Sequence, residues 1–236
     1  REPRALPLHR QQHLAQRHLA EARTQQLRSR VERAQDALHA ARLLVAHEIE
    51  NPEPILRAVQ LVVSELDNAV PLIGFAGAPW TIFCYMTEGK GSKTFSVARR
   101  SLYADPEFAR TLMDRITDTT IAYLKLQVQA GVDMIQVFDS WAGVLDAHSY
   151  RTFAIPCLKR ICEAITEVPV TIFAKDAWFA TADIAALPCA TVGLDWAQDP
   201  QWARNAVGPD RTLQGNLDPC VLYADAATIR RETARM

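Results

Sequence analysis

The sequence predicts an α/β protein built on about five parallel strands, and three observations carry that prediction. Short uninterrupted apolar runs recur along the chain, as expected of strands buried on both faces. Stretches of helical periodicity separate them, which favours right-handed crossovers with helices outside the sheet. Polar residues and turn formers gather immediately after the runs, and in a closed sheet those positions share one rim.

The first 50 residues stand apart from this pattern. They hold nine Arg, no Lys, no Gly and five of the six His, with Leu and Ala recurring among Gln, Arg and Glu over 14–49. That spacing predicts one or two amphipathic helices, an added amino-terminal helical segment before a second region at 51–236. His9, His13 and His18 fall near helical spacing, but a zinc site needs converging ligands with a second shell, so exposed histidines on a helix are the expectation.

From Asn51 the elements follow in order. Pro52 and Pro54 punctuate the start of a helix over 55–66, and the run at 70–75 reads as a strand buried on both faces. Gly74, Gly77 and Pro79 mark its end and a following loop. Further strands are expected at 134–138, 168–174, 190–194 and 211–214. Helices are expected at 95–102, 106–130, 150–166, 181–187, 200–206 and 226–234. No GxGxxG opens a helix after a strand, which argues against a dinucleotide fold.

Composition removes several classes of function. Lys plus Arg number 26 against 27 acids, so no global positive field attracts nucleic acid or an anionic membrane. No apolar stretch approaches the roughly 18 residues of a spanning helix, and no apolar signal core follows the amino terminus. The five cysteines are odd in number and mostly far apart, without zinc-site spacing. Reduced thiols in the cytoplasm are the expectation.

The segments after the strands resemble one family. PLIGFAGAPWT at 71–81 with Tyr85-Met86 and EGKGS at 88–92, then FDSWAG at 138–143, FAKD at 173–176, GLDW at 193–196 and LQGNLDP at 213–219, occur in the order found in uroporphyrinogen decarboxylases. The resemblance implies a partial (β/α)8 barrel (TIM barrel), with family strands three to seven present over about 51–236. It implies decarboxylation of the four acetates of uroporphyrinogen III to methyls, giving coproporphyrinogen III and carbon dioxide, with neither metal nor organic cofactor. Uroporphyrinogen III is then the substrate, with no nucleic acid or membrane partner; a homodimer or a complementing chain would be the protein partner.

By the same resemblance Tyr85 matches the active-site tyrosine, whose hydroxyl meets substrate near a reacting acetate. Ser140 matches the hydroxyl residue that contacts a substrate carboxylate. Read without the family, Tyr85 is an aromatic packed in a helix and Ser140 a turn or cap residue. Asp139 fits an orienting or structural acid beside the hydroxyl, and Lys175, Asp176, Asp195 and Asp218 are expected in salt bridges, turns and caps.

Two family segments are not found: the arginine-bearing RQAGRYLP-like stretch with the strand ending near FSD before Val70, and the NLGHG-like histidine loop at the other end. Without the pyrrole-facing aspartate and the arginine clamps, turnover by this form is expected to be negligible. The competing readings are a catalytically inactive fragment or one part of a split enzyme, and a corrinoid-related methyltransferase of the same barrel. The last asks for zinc ligands near the final strands, where His and Cys do not cluster.

Overall fold

In the computed structural model, the described residues are Glu21, Gln25, 53–66, 69–89 and 91–236. The chain divides into two units, Arg1–Ala46 and His47–Met236. In the first, Glu21 and Gln25 are helical; the remaining residues of the expected 14–49 helices, with His9, His13 and His18, lie outside the described residues.

Among the described residues, the second unit opens with helix α1 (Glu53–Leu66) and is organised around five strands. These are β1 (Ile73–Gly77), β2 (Met134–Asp139), β3 (Val170–Ala174), β4 (Thr191–Gly193) and β5 (Thr212–Gln214), all parallel and adjacent in chain order. Helices α2 (Pro79–Glu88), α3 (Ser96–Ala104) and α4 (Pro106–Ala130) lie between β1 and β2. The remaining crossovers carry α5 (Ala147–Ser149), α6 (Ile155–Ala164), α7 (Thr181–Ala185) and α8 (Pro200–Val207), and α9 (Ala226–Arg235) follows β5.

Side chains alternate between two faces of this sheet, so register assigns each one. The outer face carries Ile135, Val137, Val170, Ile172 and Val192, all buried beneath helices. Opposite them α4 presents Leu112, Met113, Ile116 and Leu124, a spacing of three and four that keeps one stripe inward. Asp105 caps α4 by accepting from the Phe108 N–H at 3.0 Å, Pro106 opens it, and Gly131 at φ 105° ends it. The expected 106–130 therefore matches the observed helix.

The inner face is open and concave. Gln136 on β2 donates its amide to Gln214 on β5 at 2.9 Å. Three strand spacings separate those strands, about 14 Å in a flat sheet, so the sheet is strongly curved, an arc of a barrel wall. Gly193 on β4 leaves the space for this crossing, because a Cβ there would meet Phe173 Cβ at 3.1 Å and Gln214 Oε1 at 3.3 Å.

Three expectations are corrected. The first strand is not buried on both faces: Ile73 and Phe75 are 42% and 61% exposed, because β1 is the edge strand and nothing among the described residues covers its concave side. The segment after Gly77 is not a loop, since Pro79 occupies the first position of α2, where its missing N–H costs nothing. The helix expected over 150–166 instead runs from α5 through a π turn, Tyr150–Ala154, into α6. Pro156 has no N–H and its ring would clash with the carbonyl four residues back, so the helix widens there and the Ile155 N–H reaches Tyr150 O.

The outer edge of β1 is occupied in an unusual way. Gln127 of α4 accepts from the Phe75 N–H at 3.0 Å and donates to the Phe75 carbonyl at 3.0 Å, replacing one residue of a neighbouring strand. Gly74 makes this approach feasible: a Cβ there would stand 2.6 Å from Gln127 Oε1 and 2.9 Å from Ile135 Cδ1. Gly74→Ala is expected to expel the amide and cost about 2 kcal/mol, combining overpacking with two lost hydrogen bonds. Urea unfolding measures this, and a loss below about 0.5 kcal/mol would mean the amide adapts without leaving Phe75.

Candidate functional site

The carboxyl-terminal rim of the arc gathers the polar residues that follow the strands onto one surface. Tyr85 lies on α2, 46% exposed, with its ring edge-on to Phe95 at 5.9 Å and to Trp141 at 6.3 Å. Ser140 follows β2 directly and is half-buried. Tyr85 and Ser140 thus lie on two neighbouring rim segments that meet through Trp141. Among the described residues neither hydroxyl has a hydrogen-bond partner.

Several contacts tie these segments together. Thr81, one turn before Tyr85 on α2, donates its hydroxyl to Asp139 Oδ1 at 2.7 Å and accepts from the Trp141 N–H at 3.3 Å. Trp80 Nε1 donates to the Trp141 carbonyl at 2.9 Å. Tyr150, placed by the π turn, donates its hydroxyl to Asp139 Oδ2 at 3.0 Å. Asp139 is fully buried, and burial pushes its carboxyl up to about 6 against the opposing pull of the two hydroxyl donors. Burial and the adjacent Asp139 charge raise the Tyr150 phenol well above its ordinary range.

The loop after α2 completes the aromatic surround. Gly89 at φ 72° ends α2 with its N–H on the Tyr85 carbonyl at 2.9 Å, and the Glu88 carboxylate accepts from the Val97 and Ala98 N–H groups at the start of α3. Between them Phe95 adopts φ 44°, ψ 49°, a left-handed conformation rare for a bulky residue, and is fully buried with its ring 4.5 Å from Trp141. The Trp141 indole N–H is buried there without an acceptor among the described residues.

The remaining rim residues serve the scaffold. Asp195 is buried and accepts from the Asp176 N–H at 2.6 Å and the Ala197 N–H at 2.8 Å. Asp218 accepts from the Cys220 N–H, capping a short helical turn. Lys175 pairs with Asp176 at 2.7 Å and lies over the Trp196 ring at 5.3 Å. Among the described residues no group of three or more His, Cys, Asp or Glu is arranged to hold a metal ion. None of the described helices is long and apolar enough to cross a membrane.

Sequence reasoning missed the floor of the site. Phe75, Phe138 and Phe173 all project onto the concave face, with centroids 6.0 Å apart for the first pair, 5.8 Å for the second, and edge-to-face geometry throughout. Each was legible only as a strand residue; register is what aligns them. No charged residue occupies an inner-face position of the five strands, so this surface offers aromatic area, amides and hydroxyls.

The family model described as uroporphyrinogen decarboxylase (URO-D) matches residues 21–236. The uroporphyrinogen decarboxylase of Christiangramia forsetii is 46% identical over 177 residues, covering 75% of this chain and 52% of that protein. That of Flavobacterium johnsoniae is 43% identical over 183 residues, covering 77% and 54%. A methyltransferase from Methanosarcina mazei superposes with a TM-score of 0.66 at 16% identity, over 75% of this chain and 52% of that one, a likeness of fold alone. The chain spans about half the length of the curated relatives it matches. The family match from residue 21 to the last residue, with relatives above 40% identity, places this chain in the uroporphyrinogen decarboxylase family.

Proposed function

We propose that this chain supplies the rim and aromatic floor of a uroporphyrinogen decarboxylase site, with Tyr85 as a catalytic and substrate-binding residue and Ser140 as a substrate-binding residue. The single observation that carries this reading is the pairing of two hydroxyls without a partner among the described residues, Tyr85 and Ser140, on neighbouring rim segments at the mouth of the Phe75–Phe138–Phe173 face. A macrocycle of four pyrroles matches the edge-to-face aromatic area, and its acetates match the hydroxyl donors. Each turnover protonates a pyrrole carbon, the ring takes the electron pair as carbon dioxide leaves, and a proton on the resulting methylene gives the methyl as the ring proton departs. The net change is one proton consumed and one carbon dioxide released per acetate.

The uncharged inner face supports a division of labour. The substrate's carboxylates need Arg or Lys, and the protonated ring needs a carboxylate, which the five inner strand faces do not carry. Among the described residues β1 and β5 each have one neighbour in the sheet. Further strands close the arc, whether in a longer protein, in a complementing chain or across a homodimer, and bring those charges. Four of the five free cysteines are buried, which suits a reduced cytoplasmic setting.

The test is anaerobic conversion of uroporphyrinogen III by this chain, alone and together with a chain bearing the remaining strands. Turnover is expected only in the assembly, and Tyr85→Phe is expected to lower kcat there by roughly tenfold or more with KM little changed. An assembled, folded protein that makes no coproporphyrinogen, or a Tyr85→Phe variant as fast as wild type, would overturn the assignment.

A further inference from the structure

We propose that Asp139 and Thr81 are positioning residues: together they fix the spacing between Tyr85 and Ser140. The proposal rests on the functional reading above, in which those two hydroxyls meet substrate. Thr81 lies one turn from Tyr85 on the same side of α2, since residues four apart share a helix face. Its hydroxyl donates to Asp139 and accepts from the Trp141 N–H. The Trp141 carbonyl is held by Trp80, also of α2. Ser140 therefore sits between two residues that are both clamped to the first turn of the Tyr85 helix. The Trp141 ring then returns to Tyr85 and Phe95, closing a loop of contacts around the pair.

A purely structural role fits Asp139 less well. Among the described residues the titratable groups that face it are Cys84 on α2, Tyr150 on the π turn and Cys157 on α6, none of them a cation. A buried carboxylate satisfied by hydroxyls alone is a poor source of stability, and apolar side chains would fill the same space at lower cost. What the carboxylate provides is direction: Oδ1 aims at Thr81 while Oδ2 is fixed by Tyr150. Misplacement of a reacting group by about 1 Å lowers a rate by roughly a hundredfold, so such a pin has large leverage on catalysis.

Thr81→Val removes the hydroxyl and keeps the shape, and Thr81→Ser restores the hydroxyl without the methyl. The reporter is the resonance of the Trp141 indole N–H, which has no acceptor among the described residues and lies among the Phe95 and Tyr85 rings, so ring currents make it sensitive to their relative position. In the Val variant that resonance is expected to move while those of Trp178 and Trp202 stay, and in the Ser variant it is expected to return. In the assembled enzyme kcat is expected to fall roughly tenfold to a hundredfold in the Val variant, with KM changed less than about threefold, and to recover in the Ser variant. An unmoved resonance with wild-type kcat overturns the proposal, as does a Ser variant as impaired as Val. Should Thr81→Val fail to fold, Asp139→Asn is read by the same resonance. A wild-type assembly without turnover would sink the functional reading and leave the resonance to decide the pin.

Discussion

Gly143→Ala is expected to destabilise the protein by about 3 kcal/mol and to loosen the rim between β2 and β3. A Cβ at Gly143 would stand 2.4 Å from Asp176 Cβ, 2.7 Å from Asp176 O and 2.9 Å from Asp176 C. Two of these three atoms are backbone, so no rotamer change relieves the clash. Asp176 has little room to retreat, because it already adopts φ 57° and its N–H is committed to Asp195 at 2.6 Å. Separating the two segments also lengthens the bond from the Gly143 N–H to the Lys175 carbonyl, 3.0 Å in the native protein. The cost is thus overpacking plus two weakened hydrogen bonds, and it is measured as the change in urea midpoint at unchanged slope. A loss below about 1 kcal/mol would show that the two rim loops move independently in spite of the Gly143–Lys175 hydrogen bond.

The same crossing illustrates what one sequence can and cannot reveal. The parallel α/β plan was legible because its signals are local: Asp105-Pro106 starts α4, Gly131 stops it, and apolar runs mark strands. The two corrections near Pro79 and Pro156 are also local in cause, yet proline permits both a helix start and a break, and only packing chooses. Edge exposure of β1 was not legible in the run at 70–75 itself, which reads alike whether one face or two are covered; only the family segments not found before Val70 implied an uncovered edge. The site divides in the same way. Tyr85 and Ser140 were nameable through the ordered family segments, and Asp139 as an orienting acid. Thr81 and the three phenylalanines stand inside those same segments but carry no role that sequence alone assigns, because their meaning lies in contacts across dozens of residues and in strand register.

Asp139→Asn is expected to remove a pH dependence of stability worth about 3 kcal/mol, which follows from raising the carboxyl from 3.8 to about 6 on folding. The native state holds this proton more tightly than the unfolded chain, so unfolding releases it between about pH 4 and pH 6. Stability from this group is therefore full below pH 4, falls as pH rises through about 6, and stays low above pH 7. Asn cannot ionise, so the difference in unfolding free energy between the two proteins should change by about 3 kcal/mol across that window, in favour of Asn as pH rises. Urea titrations at intervals from pH 4 to pH 8 measure it, and parallel curves for the two proteins would mean the carboxyl is not buried uncompensated. At neutral pH the native protein thus carries an ionised Asp139 at a cost to its own stability, when a neutral side chain in the same volume would relieve it. The ionised form is also the one that accepts most strongly from the Thr81 and Tyr150 hydroxyls, which are the bonds that hold α2 against the Ser140 segment. A gain in stability for Asp139→Asn at pH 8, together with a displaced Trp141 resonance, would identify Asp139 as a residue held for the geometry of the rim.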